Sequence, residues 1–455
     1  MIKFGTDGIR GIYKTDLTDK IAFLVGKAIS NLNKQCSVLI ARDTRVSGKN
    51  LKDALSVGLI LDNAKVIDIG ISTTPSVSYL VPILKCDYGV MITASHNSFE
   101  YNGIKVFDNN GIKIDSDLQY YIENFVNNNL DEINFEQVFN ENKYQLKNVK
   151  YARKSIKKYV NFIQNQLKTD NFKTKRKLKV VIDCANGSSY QLAKEVFNQQ
   201  FLDVLFINDL CIGNLINKDC GAVFTKNLSK TVLENKADFG FAFDGDADRF
   251  VCVDSKGKII DGDKILLFYA LVLKKQNLLK NNAVVGTKYT NKKLQIILKQ
   301  NGINYFDAGV GDTEIVKMLT SKDLSVGGEN SGHYIFKQLL NTGDGMLSAI
   351  MLINSYLENR KLFKKILNTK FYYNENVKVK FENKIEETFI DKFLKSEEFN
   401  KMLKHNKRLF VNCEYFLRKS GTEPVIRINV QSKKIKTTKK VALLIKETLQ
   451  NYLKN

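Results

Sequence analysis

The fold of this chain is decided by the stretch Lys179-Val180-Val181-Ile182-Asp183-Cys184-Ala185-Asn186-Gly187. Its apolar run is typical of a buried strand, and the Asn-Gly pair at its end is a turn signal. Helical spacing of apolar residues follows near 189–199, and a second apolar run occupies 204–207. A strand, a helix and a strand with such short connections predict a right-handed parallel crossover, the unit of an α/β domain.

The same alternation occurs once before this stretch and once after it. Before it, the pattern predicts a strand, a helix and a strand at 38–41, 48–62 and 66–69. After it, the pattern predicts a strand, a helix and a glycine-rich region at 283–286, 290–300 and 309–332. Three such rounds indicate three α/β domains.

Beyond about residue 364 the pattern changes. The segment 381–387 is followed by a charged helical stretch, and strands are predicted at 409–411 and 425–428. This order is typical of an α+β domain. A chain of 455 residues is long enough for about three or four domains. We therefore expect three α/β domains and a final α+β domain, with the bounds 1–149, 150–250, 251–363 and 364–455.

The composition restricts the classes of partner. The formal net charge is +22, but the lysines are spread along the chain without a compact basic module, so specific nucleic-acid binding is not favoured and the charge suits anionic substrates. The seven cysteines form no C-x-x-C pair and are odd in number, which argues against a disulfide framework and a structural zinc site. The opening residues lack the long apolar segment that a signal peptide would have, and no run reaches the ~18 apolar residues of a membrane span. We expect a cytoplasmic protein without a membrane partner.

Three aspartates alternate with small residues in the run Asp244-Gly245-Asp246-Ala247-Asp248-Arg249. In an extended loop, side chains two residues apart point the same way, so the carboxylates can converge on one hard dication while the small residues leave the other side uncrowded. A calcium-binding EF-hand would need Gly and Glu where Arg249 and Ser255 stand. The run therefore predicts a Mg²⁺ site with room for a phosphate oxygen beside Arg249. The alternative is an acidic turn with solvated charges.

A second candidate loop follows the predicted strand 88–92 and reads Thr93-Ala94-Ser95-His96-Asn97. A serine on a sharp turn at the end of a strand suits a nucleophile or a carrier of phosphate. The turn is not a G-x-S-x-G elbow, and no partners of a hydrolytic triad are evident in the sequence, so triad chemistry is disfavoured. The alternative is a turn that only satisfies its own backbone.

Two further loops complete the candidate site. The stretch 327–333 offers Glu329, Ser331 and His333 on a flexible backbone, which suits sugar hydroxyls, although a tight turn with a core histidine is equally consistent. The stretch 418–424, with Arg427 after it, offers backbone N–H groups and guanidiniums for a phosphate. Together the four loops predict phosphoryl transfer on a sugar phosphate.

These motifs occur in the order seen in the α-D-phosphohexomutases, and the chain resembles that family over nearly its whole length. The motifs that carry the resemblance lie at 4–11, 41–48, 93–97, 183–187, 244–249, 261–263, 327–333, 342–345 and 418–424. The resemblance implies four domains around a central cleft, of which the first three are similar α/β domains with mixed sheets and the last is an α+β domain.

The resemblance also implies a role for each candidate residue. Ser95 is expected to carry the phosphate, and its phosphate oxygen completes a Mg²⁺ shell formed by Asp244, Asp246 and Asp248. Arg249 is expected to neutralise the transferring group. The other residues implied in the active site are Arg10, His96, Lys105 and His333. The residues implied in substrate binding are Glu329 and Ser331 for the sugar, and Arg418, Ser420, Gly421, Thr422 and Arg427 for the non-reacting phosphate.

The first and last motifs are most similar to those of family members that act on glucosamine phosphates. This implies an isomerase of amino-sugar metabolism that interconverts glucosamine 6-phosphate and glucosamine 1-phosphate as a monomer or homodimer, with glucosamine or glucose 1,6-bisphosphate as intermediate or activator. The alternative substrates are mannose and glucose phosphates. A phosphosugar-binding protein without turnover is a further alternative, which the intact serine and aspartates disfavour.

A few positions depart from the pattern of the family. Ser98 stands at a position that usually holds Pro, which predicts a looser serine loop, and Asn330 replaces the usual Gln. Lys288 occupies a position that is usually apolar, and the stretch 310–314 lacks the usual Arg-Tyr. None of these touches the metal ligands or the serine. We therefore expect the chemistry to be intact and the surroundings of the sugar to differ.

Overall fold

The computed structural model describes residues 2–5, 7–168, 176–309, 311–381, 386, 388–419 and 424–454. These residues form four units, each built on a sheet of its own. The predicted phosphate-binding residues Ser420, Gly421 and Thr422 lie outside the described residues, as does Val310.

The first unit is a six-stranded mixed sheet covered by helices. Its strands are β1 (Ile9–Ile12), β2 (Ser37–Arg42), β3 (Lys65–Ile71), β4 (Tyr88–Ile92), β5 (Tyr101–Phe107) and β6 (Lys150–Tyr151). Its helices are α1 (Asp19–Leu32), α2 (Gly48–Ile60), α3 (Thr74–Ile83), α4 (Ser116–Asn129) and α5 (Phe135–Asn142). The strand order is β1-β5-β4-β2-β3-β6, and β5 alone runs antiparallel to its neighbours β1 and β4. The central strands read as continuous apolar runs because both faces are covered.

The second unit repeats this design with a five-stranded sheet. Its helices are α6 (Ile156–Asn165), α7 (Ser189–Val196) and α8 (Lys226–Glu234). Its strands are β7 (Leu178–Asp183), β8 (Leu202–Ile207), β9 (Phe239–Phe243), β10 (Phe250–Asp254) and β11 (Ile259–Ile260). The order is β11-β10-β9-β7-β8, with β7 parallel to β8 and β9, and β10 antiparallel to β9. The predicted strand, helix and strand at 179–207 are confirmed.

The third unit is a four-stranded sheet flanked by helices. Its helices are α9 (Gly262–Lys275), α10 (Lys292–Gln300), α11 (Asp312–Ser321), α12 (Gly345–Glu358) and α13 (Arg360–Asn368). Its strands are β12 (Ala283–Gly286), β13 (Asn304–Asp307), β14 (Val326–Gly328) and β15 (Tyr334–Phe336). The order is β13-β12-β14-β15, with β12 parallel to β13 and β14, and β15 antiparallel to β14.

The fourth unit is a three-stranded antiparallel sheet with helices beside it. Its strands are β16 (Tyr373–Lys380), β17 (Cys413–Lys419) and β18 (Val425–Ser432), in the order β16-β18-β17. Its helices are α14 (Phe389–Lys395), α15 (Glu397–His405), α16 (Lys407–Phe410) and α17 (Ile435–Tyr452). This segregation of helices and antiparallel strands is typical of an α+β domain.

The same turn occurs in each of the first three units. It joins the carboxyl end of a parallel strand to an antiparallel neighbour, and it lies between β4 and β5, β9 and β10, and β14 and β15. The three turns carry the serine motif, the aspartate run and the glycine-rich sugar motif. Ligands of open α/β sheets bind at the carboxyl ends of the parallel strands, so the three predicted loops lie where such a fold binds ligands.

The cores explain how these turns are held together. One continuous cluster of buried side chains runs through the first three units and includes Leu80, Phe241 and Phe268. The fourth unit has a separate core that includes Phe393, Ile428 and Ile445. The shared core fixes the first three turns relative to one another.

Some predicted elements differ from the structure. The predicted strand at 409–411 is wrong: Leu409 N donates to Asn406 O at 2.8 Å within helical structure, and the strand begins at Cys413. Three adjacent apolar residues do not distinguish the end of a helix from a strand. β16 was not predicted because its side chains are mostly polar and exposed.

Two sheets extend past the bounds expected from the sequence. β6 pairs with β3, so the first sheet includes residues 150 and 151. β10 and β11 belong to the second sheet, which therefore extends to Ile260. Edge strands of two residues, such as β6 and β11, carry little sequence signal because they are too short to show a pattern.

Candidate active site

The turn between β4 and β5 places Ser95 in the interior of the molecule, where only 1% of the residue is exposed. Its backbone φ is +51°, in the left-handed region that is unfavourable for a residue with a side chain. Its N–H donates to Thr93 Oγ1 at 2.9 Å, and its Oγ donates to Asp244 Oδ2 at 2.6 Å. The serine of the first unit therefore touches the aspartate run of the second.

The aspartate run is a tight turn, and the extended loop expected from its spacing is wrong. Ala247 N donates to Asp244 O at 3.0 Å, and Ala247 has a φ of +59°. The space next to the small residues, which was expected to be open, is also crowded, because a Cβ on Gly245 would lie 2.6 Å from the Ser95 backbone oxygen. The carboxylates converge all the same, with one oxygen from each of the three within 4.8 Å of the others. The turn, rather than the alternation of side chains, brings them together.

The buried charge of these aspartates fits a cation. Among the described residues, Asp246 Oδ1 and Asp248 Oδ1 have no hydrogen-bond partner although both atoms are buried. Burial and the charges of Asp248 and Asp246 raise the pKa of Asp244 well above its ordinary value. A group of oxygen ligands without His or Cys suits a hard dication such as Mg²⁺. The alternative of a solvated acidic turn does not hold, because all three side chains are buried.

Lys105 on β5 places an ammonium against the same carboxylates. Its Nζ lies 2.8 Å from Asp246 Oδ2, 3.0 Å from Asp248 Oδ2 and 2.9 Å from Asp7 Oδ2. Burial alone would lower the pKa of this lysine, but Asp246, Asp248 and Asp7 outweigh it and raise the pKa well above its ordinary value. Lys105 is therefore a buried cation beside the serine and the aspartate run.

Asp7 joins two further cations to this group. Arg10 donates to Asp7 Oδ2 at 2.8 Å and to Asn97 Oδ1 of the serine turn at 3.3 Å. Lys113 pairs with Asp7 and, at 2.5 Å, with Asp312 Oδ2. Arg10 therefore lies beside the serine turn, and Lys113 links the first unit to the third.

His333 lies within this charged group. Its Nε2 accepts a hydrogen bond from Gly343 N at 3.1 Å, so in the neutral ring the proton is assigned to Nδ1, which lies 3.8 Å from Asp248 Oδ1. Burial lowers the pKa of His333, but the nearby carboxylates of Asp248 and Asp312 raise it overall. A proton on Nε2 would remove the acceptor of the Gly343 N–H, which opposes full protonation.

His96 has the opposite character. Burial, together with the nearby charges of Arg249 and Arg10, lowers the pKa of His96 to about 3. The ring is therefore neutral near pH 7. Its Nδ1 lies 3.4 Å from Ser95 Oγ, which is a weak contact with the hydroxyl.

Arg249 ends the aspartate run and lies half-buried between two acidic groups. Its backbone N–H donates to Asp244 Oδ1 at 3.2 Å. Burial lowers the pKa of its guanidinium, but Asp244, Asp248 and Glu329 raise it overall, so Arg249 is a cation near both the aspartate run and the sugar motif.

The predicted sugar motif closes the hairpin between β14 and β15. Gly332 N donates to Glu329 O at 3.0 Å, and Gly332 has a φ of +93°. Gly332 O accepts a hydrogen bond from Phe250 N at 2.8 Å, so the loop is attached to β10. Ser331 Oγ donates to Glu329 Oε2 at 3.0 Å. Ser331 is exposed and Glu329 is half-buried, so both are accessible to a ligand.

A second cationic group lies where the third and fourth units meet. Arg418 and Arg427 are opposite each other on β17 and β18. The Tyr289 ring of the third unit lies 5.3 Å from the Phe416 ring on β17, centroid to centroid. Burial raises the pKa of Tyr289, and the charges of Arg418 and Arg427 oppose the rise. Lys288 Nζ lies 5.3 Å from the centroid of the Phe416 ring on β17. Lys288 therefore contacts the strand that carries Arg418.

Sequence reasoning did not assign several residues that contact this site. Thr74 donates from Oγ1 to Asp246 Oδ2 at 2.5 Å and from its N–H to Asp246 O at 3.0 Å. Arg45 lies in the stretch 41–48, which matches the family pattern, and Asp312 lies in the stretch 310–314, which departs from it. Either observation could have drawn attention to these residues. Thr74 and Lys113 carried no such signal, because an isolated Thr or Lys is common in any loop.

Family descriptions match four consecutive parts of the chain. The alpha/beta/alpha domains I, II and III of phosphoglucomutase/phosphomannomutase match residues 1–132, 157–257 and 261–372, and the C-terminal domain matches 376–447. The chain belongs to the phosphoglucomutase/phosphomannomutase family. The expected resemblance to phosphohexomutases and the four-domain architecture are thus confirmed.

Among its relatives, the phosphoglucosamine mutase of Clostridioides difficile (strain 630) is 37% identical over 458 residues, which cover 99% of each chain. A family member from Burkholderia thailandensis has a solved structure with a TM-score of 0.77 at 20% identity, covering 98% of this chain and 97% of that one. The N-acetylphosphoglucosamine mutase of Aspergillus fumigatus, solved with GlcNAc-6P and magnesium, gives 0.66 at 17%, covering 98% and 96% respectively. These two structures support the fold. No helix within the described residues is long and apolar enough to cross a membrane.

Proposed function

We propose that this chain interconverts glucosamine 6-phosphate and glucosamine 1-phosphate, with Ser95 as the carrier of the phosphoryl group. The observation that carries the proposal is the hydrogen bond of 2.6 Å between Ser95 Oγ and Asp244 within a buried group of three carboxylates. The full-length similarity to a phosphoglucosamine mutase supports the choice of substrate.

The reaction consists of two phosphoryl transfers. In the first, the bond between phosphorus and Ser95 Oγ breaks as a bond forms to O1 of glucosamine 6-phosphate; the sugar hydroxyl loses its proton and the serine oxygen gains one. The product is glucosamine 1,6-bisphosphate. After this bisphosphate has reversed its orientation in the site, the phosphoryl group on O6 is transferred to Ser95, with the proton movements reversed. The products are glucosamine 1-phosphate and the phosphoserine enzyme.

The metal site belongs to the same proposal. Asp244, Asp246 and Asp248, together with the Ser95 phosphate, would hold Mg²⁺, which when bound neutralises charge on the transferring group. Arg249 and Lys105 add fixed positive charge there. Arg10, through its contact with Asn97, supports the serine turn.

The histidines have different proposed roles. His96, neutral next to the serine hydroxyl, is assigned to orienting that hydroxyl, because a pKa of about 3 makes its ring a poor proton acceptor near pH 7. His333 lies between Asp248 and Asp312 and orients the carboxylate of Asp248. These roles differ because the neighbours of the first are cations and those of the second are carboxylates.

The binding of the sugar and of the non-reacting phosphate is assigned to the two remaining loops. Glu329 and Ser331 are accessible and offer a carboxylate and a hydroxyl to sugar hydroxyls. The non-reacting phosphate is assigned to Arg418 and Arg427, whose guanidiniums suit its oxygens, together with Ser420, Gly421 and Thr422. Lys288 contacts β17, the strand that carries Arg418, so its charge is assigned to the part of the site that binds the non-reacting phosphate. There a cation favours any hexose phosphate and does not select against an amino sugar.

A turnover assay with the phosphates of glucosamine, glucose and mannose, each with a trace of its 1,6-bisphosphate, tests the proposal. We expect kcat/KM for glucosamine phosphate to exceed the others by at least ~10-fold, about 1.4 kcal/mol in transition-state binding. A preference of that size for mannose or glucose phosphate would establish the alternative, a phosphomannomutase or phosphoglucomutase. Binding of all three without turnover would indicate a phosphosugar-binding protein.

A further inference from the structure

Arg45 is one of the most deeply buried charged residues of the chain and contacts the serine turn directly. It lies in the loop between β2 and α2 and has no exposed surface. Its Nε donates to Asp43 Oδ2 at 2.9 Å. Its terminal nitrogens donate to backbone carbonyls of the serine turn, with Ser95 at 3.1 Å, Asn97 at 2.8 Å, Tyr101 at 3.0 Å and Ser98 as the fourth. All the N–H groups of the guanidinium are therefore used.

The carboxylate of Asp43 connects Arg45 to the N–H of Ser95 through a chain of hydrogen bonds. Its oxygens accept hydrogen bonds from Arg45 N at 2.9 Å and from Thr93 Oγ1 at 2.7 Å. The same Thr93 hydroxyl accepts a hydrogen bond from Ser95 N at 2.9 Å. The peptide groups on both sides of Ser95 are thus held by one network: the N–H through Thr93, and the carbonyl through Arg45.

A second donor reaches the same carbonyls from the second unit. Asn217 Nδ2 donates to Ser95 O at 2.8 Å and to Asn97 O at 2.9 Å. Asn217 is only half-buried. The serine turn is therefore tied both to its own unit and to the unit that carries the aspartate run.

The network holds Ser95 in an unfavourable backbone conformation. Ser95 has a φ of +51°, which is unfavourable for a residue with a side chain and persists only where the surroundings hold it. A relaxed backbone would move Oγ away from Asp244. A single ammonium cannot replace the guanidinium, because it has three donors where five are needed in a planar fork.

We infer that Arg45 is a positioning residue for phosphoryl transfer: its guanidinium holds the serine turn in the left-handed conformation that aims Ser95 Oγ at the aspartate run. The inference rests on the proposed role of Ser95. Arg45 does not touch the substrate, so its removal slows transfer and leaves sugar-phosphate binding unchanged.

The test compares Arg45→Lys with Arg42→Lys. Arg42 is the neighbouring arginine, half-buried, and donates to the Asp43 backbone oxygen at 3.1 Å without reaching the serine turn. We expect Arg45→Lys to lower kcat by at least about 30-fold with KM within about 2-fold of the wild type, and Arg42→Lys to keep kcat within about 3-fold. Thermal unfolding of each variant shows whether it is folded.

A chemical rescue separates positioning from general support of the fold. Arg45→Ala is assayed with about 50 mM guanidinium chloride and, in parallel, with the same concentration of sodium chloride. We expect guanidinium to restore kcat by about 5-fold or more and sodium chloride to have no effect. If the Arg45 variants do not fold, Asn217→Ala decides, because it removes a donor to the same two carbonyls from a half-buried position; the expected loss is about 5-fold in kcat with KM unchanged.

Intact-mass analysis of each protein keeps the two proposals distinguishable. A wild type that turns over without phosphate on Ser95 would refute the serine carrier and leave the role of Arg45 without a basis. A wild type with phosphoserine 95, beside a folded Arg45→Lys of undiminished kcat, would overturn the positioning role alone. For unfolded Arg45 variants, an Asn217→Ala enzyme with full kcat would overturn it equally.

Discussion

The residues at the centre of the site have unusual backbone conformations. Ser95 and Ala247, at the turns that follow β4 and β9, both have positive φ although each carries a side chain. Ala185 and Asn186, at the end of β7, do so too. Such conformations cost about 1–3 kcal/mol each and persist where the surrounding structure holds them. Here they bring a hydroxyl and three carboxylates together in a buried space.

Replacing the serine tests its proposed role directly. We expect Ser95→Ala to reduce kcat by at least about 1000-fold, because no hydroxyl remains to carry phosphate, while the melting temperature changes little. Ser98→Ala, in the same turn but exposed, serves as the control and should retain activity. Intact-mass analysis should show a phosphate on the wild type and on the control, and none on Ser95→Ala. An alanine variant at wild-type rate would refute the carrier.

At the scale of the elements, the sugar loop depends on its glycine. A Cβ on Gly332 would lie 2.3 Å from the Phe250 backbone oxygen, in addition to the strain of a φ of +93°. Gly309 has a similar φ of +85°, but a Cβ there would meet nothing within 4 Å. We therefore expect Gly332→Ala to raise KM and lower the melting temperature, and Gly309→Ala to cost only about 1 kcal/mol of stability.

Steady-state kinetics and thermal unfolding of both variants provide the measurement. Since the two glycines share the backbone strain, the difference between them isolates the contact with β10. Equal losses in both variants would show that the attachment of the loop to β10 does not matter.

The start of helix α12 gives a prediction for pH. Burial raises the pKa of Asp344 to about 6, while its hydrogen bonds from Leu347 N at 3.0 Å and Tyr159 Oη at 2.7 Å oppose the rise. A carboxyl with a raised pKa keeps its proton longer in the folded state, so its contribution to stability is lost as the pH rises from about 4 to about 6 and stays lost above that.

Asp344→Asn removes this dependence, because an amide keeps the oxygen for Leu347 N and carries no charge. We expect the variant to gain stability relative to the wild type between pH 4 and pH 7, by up to about 3 kcal/mol. Denaturant unfolding at several pH values, with a chelator present throughout, measures the difference. A difference independent of pH would contradict the assignment.

The limits of sequence reasoning are also clearest among the elements. The central strands were predictable because a strand buried on both faces reads as one apolar run, as at 179–183. The edge strands β6 and β11 were not, because two residues show no pattern, and β16 was not, because its side chains are mostly polar and exposed. The aspartates were recognisable by composition, yet their conformation was not: the spacing is compatible with an extended loop and with a turn, and only the contact with Ser95 distinguishes them. Lys113 and Thr74 could be recognised as neighbours of the site only from the structure, because their contacts join different units.

For the whole molecule, the metal is expected to act as a stabilising ligand. The aspartate run belongs to the second unit, contacts Ser95 and Lys105 of the first and lies near His333 of the third. A ligand bound there stabilises the folded chain by about 2.7 kcal/mol at 100 times its dissociation constant. We therefore expect Mg²⁺ to raise the melting temperature and restore activity after treatment with a chelator, with Zn²⁺ a poor substitute.

Asp246→Asn should abolish this response to Mg²⁺ and leave the metal-free protein folded. Asp209→Asn, which changes a carboxylate paired with Lys194 at the surface of the same unit, should keep it. Differential scanning calorimetry over a range of Mg²⁺ concentrations measures both. Full activity of the wild type in thoroughly demetallated buffer would contradict the metal requirement.

The repeated turn of the first three units has a consequence for how this protein can change over time. The proposed phosphate carrier, metal ligands and sugar-contacting residues occupy the corresponding turn in three separate sheets, although the three turns contact one another. We expect changes in the turn between β14 and β15, or in the fourth unit, to alter the preferred sugar while the serine and the aspartates stay as they are. Such a division separates the residues proposed to select the sugar from those proposed to transfer the phosphoryl group.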